Sequence, residues 1–119
     1  MATAIYVRVS NNLIHLRNSS TQQEITVSPE SPFTTARMLV GEFVPFESCL
    51  KKGLSLVVKK GIFSLQPTVI VHATEMNEGG LCEIEKRILQ EAALGAGARK
   101  AIVYEGAQLS DQQAENLAK

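Results

Sequence analysis

The chain has 119 residues, 45% of them hydrophobic, with twelve basic and twelve acidic side chains. That length suits one domain spanning residues 1–119 around a single core, and a formal net charge of zero gives no electrostatic drive toward nucleic acid or an anionic membrane surface. No apolar run approaches the roughly 20 residues of a spanning helix, and no charged-then-apolar leader opens the chain, so a cytoplasmic protein without a membrane span is expected.

Ala4–Val9 (AIYVRV) alternates, with Ile5, Val7 and Val9 on one face and Tyr6 and Arg8 on the other, which predicts a strand. Ser10, Asn11 and Asn12 are turn residues, and the apolar run resumes over Leu13–Arg17, so the two segments read as a hairpin. A second polar turn, Asn18–Thr21, leads to a third strand over Gln23–Val27. Ser28–Pro32 is a loop. Phe33–Val44 has the length of a helical turn or two, but Gly41 and Pro45 argue for an extended connection.

From Phe46 to about Lys60 the pattern becomes helical, with Phe46, Leu50, Leu54 and Val57 on one stripe, Pro45 in the first turn and Gly53 admitting a close neighbour. Lys51, Lys52, Lys59 and Lys60 share a side of that helix, the habit of a solvated surface, and Gly61 ends it. The β-branched run Thr68–Ala73 (TVIVHA) predicts a strand buried on both faces. After the acidic glycine loop Glu75–Gly80 comes a second helix, with Leu81, Ile84, Ile88 and Ala92 at helical spacing and Leu89, Ala93 and Ala96 widening the stripe. Gly95 and Gly97 stand where a left-handed helix end is needed. Ala101–Tyr104 is a short strand, and a last helix begins near Ser110, which has capping-box spacing to Gln113.

Three meander strands followed by two strand-helix crossovers predict an α/β fold, a mixed five-stranded sheet with about three helices, the ribonuclease H-like plan. Cys49 and Cys82 fall within or at the start of predicted helices, the usage of small buried thiols rather than of a disulfide. His15, His72, Glu75 and Cys82 have no recognised metal-ligand spacing, and His72 in the middle of a buried strand reads as a satisfied core histidine.

Several stretches resemble the bacterial actin homologue MreB. SNNLIHL (Ser10–Leu16) is similar to that family's A-N-T-L-I-Y-V, ARMLVGEFVPF (Ala36–Phe46) to its R-P-x-x-x-G-V-I-x-D-F, and EIEKRILQEAALGAGARKAIVYE (Glu83–Glu105) to its V-E-R-R-A helix, A-G-A-R break and following strand with E-E-P. The resemblance implies an actin-like domain comparable to one subdomain of the family. It also marks departures. The family's D-L-G-T phosphate loop falls on Tyr6, Val7, Arg8 and Val9, so the metal-holding acid is a tyrosine and the glycine an arginine. The paired acids before a proline fall on Glu105, Gly106 and Ala107, with one carboxylate missing. No cofactor, no metal and no enzymatic activity are therefore expected, and a two-metal nuclease is opposed by the same tyrosine.

Two readings of function follow. The first is a non-catalytic actin-like remnant acting through association, as a homodimer or with a filament-forming bacterial actin, because a chain ending at Lys119 would leave uncovered an apolar surface that the family's returning helices cover. Its interface candidates are Leu50, Leu54, Leu109 and Leu117. The second is a small-molecule or nucleotide-binding module keeping part of the ancestral cleft around Asn11, Asn12, Glu75 and Glu105.

Overall fold

Strand β1 (Ala4–Ser10) occupies the middle of the sheet because both of its faces can be covered: Ala4, Ile5, Tyr6, Val7 and Val9 are all buried. The computed structural model describes residues 4–58 and 66–119. Strand β1 pairs antiparallel with β2 (Leu13–Asn18), which pairs antiparallel with β3 (Glu24–Val27). On its other side β1 pairs parallel with β4 (Thr68–Ala73), and β4 with β5 (Lys100–Tyr104). The sheet order is β3-β2-β1-β4-β5, the expected meander and two crossovers. All six residues of β4 are buried, as its β-branched run predicts.

Helices α1 (Phe43–Val57) and α2 (Glu83–Gly95) pack on one face, where Ile5, Val7, Val9, Leu16, Val69 and Val71 meet Phe46, Leu50, Leu89 and Ala92. Helix α3 (Asp111–Ala118) lies on the other face through Ala114 and Ala118, against Ala4, Tyr6 and Ile70. Ser110 caps it with the expected box: its hydroxyl accepts from the Gln113 N–H at 3.2 Å, and Gln113 returns a bond to the Ser110 N–H. No helix among the described residues is long and apolar enough to cross a membrane.

Several expectations are corrected. Helix α1 begins at Phe43, three residues before the expected start, with Pro45 in its first turn where an N–H would have no intrahelical partner. Residues 33–42, expected to be extended, loop back on themselves, with the Phe33 carbonyl accepting the Gly41 and Glu42 N–H groups at 2.8 and 3.0 Å; Phe33 is fully buried, edge-on to Phe46 with ring centroids 5.1 Å apart. Ile84, expected on the core stripe of α2, is 68% exposed. The buried arc is centred on Leu89, Ala92 and Ala93, and at about 100° per residue Ile84 lies roughly 130° from that centre. Cys82, expected to be buried, is an exposed free thiol at the start of α2; Cys49 is buried and free. Leu50 and Leu54, two of the interface candidates, are core residues facing the sheet at 0% and 5% exposure and have no surface to offer. Lys51 and Lys52 are exposed on α1, whereas Lys59, Lys60 and the stop at Gly61 lie outside the described residues.

The close approach expected at Gly53 is made by Leu16 of β2: a Cβ on Gly53 would lie 2.6 Å from Leu16 Cδ1. Helix propensity alone favours alanine at a helix interior by about 1 kcal/mol. The crowding should win, because Leu16 is fully buried and has nowhere to move. Gly53→Ala is expected to lower unfolding free energy by about 1–2 kcal/mol in urea denaturation. Combining it with Leu16→Val, which trims the clashing methyl, should cost less than the two single changes added together.

Candidate functional site

Strand register determines which side chains meet on the α3 side of the sheet. The partner pairs His15↔Thr26, Arg8↔His15, Arg8↔His72 and His72↔Tyr104 place Thr26, His15, Arg8, His72 and Tyr104 in one row across all five strands. The adjoining row runs Glu24, Arg17, Tyr6, Ile70, Ile102. Partners in a ladder share a face, so these rows stand side by side. Helix α3 covers the apolar end. The polar end opens into a groove of about 330 Å³ lined by Tyr6, Arg8, His15, Arg17, Glu24 and residues 108–111.

Beneath α3 the buried polar atoms form a closed chain. Tyr6 Oη accepts the Leu109 N–H at 3.1 Å and stands 2.6 Å from His72 Nδ1. The network therefore assigns the hydroxyl proton to a bond toward Nδ1 and the ring proton of His72 to Nε2. Burial is the main cause that lowers the His72 pKa, opposed by its bond to the Gly106 backbone, and burial likewise raises that of Tyr6. The pair is neutral. Tyr104 meets His72 edge-on, with centroids 4.9 Å apart, and donates its hydroxyl to the Ala107 carbonyl at 2.7 Å. His72 is thus a satisfied core histidine, closed to solvent at 5% exposure.

In the groove, Arg17 holds both carboxylates. Its Nε and Nη2 donate to Asp111 at 2.7 and 2.9 Å, and its Nη1 meets Glu24 at 2.8 Å. The Arg17 bonds hold the Asp111 carboxyl below the usual carboxylate range, and Arg17 itself is raised in return. His15 lies between Arg8, which donates to Nδ1 at 3.0 Å, and Glu24, which Nε2 meets at 3.0 Å. Burial first, and the Arg8 charge second, lower its pKa, so the ring is neutral and its contact with Glu24 is a hydrogen bond rather than an ion pair. Arg8 also donates from Nη1 to Gln108 Oε1 at 3.0 Å.

The residues singled out from the sequence divide into separate places. Tyr6 and Arg8 belong to the groove and the core beneath it. Asn11 and Asn12 form the β1–β2 turn, where Asn12 has φ 49° and its Oδ1 accepts the Phe33 and Thr34 N–H groups at 2.8 and 2.9 Å. Glu105 accepts the Leu81 N–H at 2.9 Å and pairs with Lys86, and these two bonds, in that order, lower its pKa. Gly106 has φ 147°, and a Cβ there would lie 2.7 Å from Tyr104 Oη. Glu75 is exposed beyond β4. The structure does not bring Asn11, Asn12, Glu75 and Glu105 together. Among the described residues, no group of three or more His, Cys, Asp or Glu could hold a metal ion. Sequence reasoning missed the cross-strand row; its signal was the two-residue spacing of Tyr6 with Arg8 and of His15 with Arg17, but the register that joins them is not local.

Fold and groove together define a mixed five-stranded α/β domain with one helix-covered apolar face and one partly open polar face. No known protein-family profile matches the sequence. It is 33% identical over 99 residues to YjaA of Escherichia coli (strain K12), a protein described only as uncharacterised, and the match spans 79% of this chain and 76% of that one. The chain belongs to the YjaA family.

Two measurements probe this site. Tyr6→Phe should cost about 1–3 kcal/mol in chemical denaturation, since it strands His72 Nδ1 and the Leu109 N–H in a buried place. Asp111→Asn should lower the melting temperature by a few degrees at neutral pH. The Asp111 pKa is lower folded than unfolded, so its stabilisation is full above the ordinary carboxylate pKa and is lost as pH falls through the folded value. The gap between wild type and Asp111→Asn should therefore close in acid.

Proposed function

We propose that this chain is a non-catalytic, actin-like domain of ribonuclease H-like plan that works by protein association, as a homodimer or on a filament-forming bacterial actin. Two features support the ancestry. The order β3-β2-β1-β4-β5, with β2 alone running against its neighbours, is the one that plan requires. The MreB-like stretches lie on the β1–β2 turn with β2, on the lead into α1, and on α2 with β5. Tyr6, standing where that family keeps its metal-holding acid, is bonded to His72 beneath α3. It offers neither a carboxylate nor a space, which argues against magnesium-nucleotide chemistry.

The observation that supports association is the share of exposed large apolar side chains carried by α1 and α2. Seven large apolar side chains are exposed among the described residues, and Phe43, Val44, Leu56, Ile84 and Leu94, five of the seven, belong to these two helices. Val44 and Ile84 are the most exposed, at 71% and 68%. These replace Leu50 and Leu54 as the residues to test. Leu117, exposed on α3, keeps its place as a candidate, while Leu109 is half-buried against the Tyr6 cluster. The nucleotide-module reading has less support, since Asn12 and Glu105 already bond backbone N–H groups elsewhere.

Light scattering over a concentration series is expected to give a dimer for the wild type and a monomer for Val44→Glu or Ile84→Glu, with both variants folded. A wild type that stays monomeric at millimolar concentration removes self-association. In thermal melts with ATP, adding magnesium should produce no further shift; a magnesium-dependent rise would restore the nucleotide reading.

A further inference from the structure

We infer that the groove over Arg8 is a binding site for a small molecule bearing a single oxyanion group, a carboxylate or a phosphate, seated on the Arg8 guanidinium. The argument begins with charge. Arg17 takes both carboxylates of the groove, Glu24 and Asp111. Arg8 is left with neutral partners, Gln108 Oε1 and His15 Nδ1, each at 3.0 Å, and meets no carboxylate among the described residues. A guanidinium has five N–H donors, and these bonds use two. Three remain for a ligand.

The two neutral bonds also hold the fork from opposite sides, one from strand β2 and one from the segment leading into α3. An anion would find its partner already placed, and little side-chain freedom is lost on binding. The charge acts on what surrounds it: besides His15, it opposes protonation of His72 and favours ionisation of Tyr6. The Ser110 hydroxyl, on the groove wall, accepts from Gln113, and its proton has no acceptor among the described residues. It supplies a second donor. A volume of about 330 Å³ stands at the small end of ligand sites. Glu24 and Asp111 on the same wall repel a second or third negative group, so a singly attached oxyanion suits the site better than a polyphosphate. This inference rests on the strand register and does not depend on the actin-like ancestry or on association.

The test is an NMR titration of the full chain with inorganic phosphate in one arm and acetate in the other, against sodium chloride at matched ionic strength. Saturable shifts are expected at the amides of Arg8, His15, Leu109 and Ser110. Arg8→Gln should weaken the response at least tenfold, and Arg37→Gln, which removes an exposed arginine elsewhere, should leave it unchanged. The arm that saturates at lower concentration identifies the preferred group. Should Arg8→Gln not fold, Arg8→Lys keeps the charge without the fork and should bind more weakly than wild type. No saturable shift around Arg8 in the wild type, or responses as strong in the Arg8 variants, overturns the proposal.

Discussion

Strand β1 is paired along its length on both edges, from Ile5↔Asn18 to Ser10↔Leu13 on one side and from Ala4↔Thr68 to Val9↔Ala73 on the other. Its register is therefore doubly fixed, and a slip of one residue would exchange Val7 for Arg8 in the larger core. That exchange would bury a guanidinium among Leu16, Phe46 and Val71. The alternation of β1 thus decides at once which face takes α1 and α2 and which carries the polar row. Everything on the α3 side inherits its geometry from this strand.

The two faces are held by different forces. Against α1 and α2 the contacts are between large apolar side chains, supplemented by the close approach of Gly53 to Leu16. Helix α3 has eight residues and buries only Ala114 and Ala118 fully, too little apolar area to hold a short helix by itself. Polar bonds make up the difference: Arg17 to Asp111, Arg8 to Gln108 and the Leu109 N–H to Tyr6. The uncovered half of this face is correspondingly polar. There β2 and β3 present His15, Arg17 and Glu24.

What could be read from the sequence was what is encoded locally. The alternation of Ile5, Val7 and Val9, the unbroken β-branched run of β4 and the Ser110–Gln113 capping pair each state their outcome within a few residues. Gly53 implied a close neighbour without naming it. Ile84 misled because one apolar residue fits two adjacent arcs of a helix, and only the partner surface selects between them. Leu50 and Leu54 were located correctly on a stripe, but a stripe does not say whether it faces a core or a partner. The row through Arg8, His15, His72 and Tyr104 joins residues as far apart as 8 and 104, and no local pattern encodes that pairing.

Open α/β sheets usually bind ligands beyond the carboxyl ends of their parallel strands. Here those ends are tied down. The turn after β1 is laced to Phe33 and Thr34 by Asn12, and the backbone and hydroxyl of Thr74, just past β4, both bond the Val9 carbonyl at 2.9 Å. Glu105, just past β5, bonds the Leu81 N–H ahead of α2. Polar groups that would greet a ligand at this edge are spent on holding loops together. Strand β1 carries the Arg8 guanidinium, whose partners Gln108 and His15 are neutral, on the face that α3 leaves half open. This positive charge, without a carboxylate partner among the described residues, thus lies on the flank of the sheet rather than at this edge, and that is where recognition by this chain should be sought.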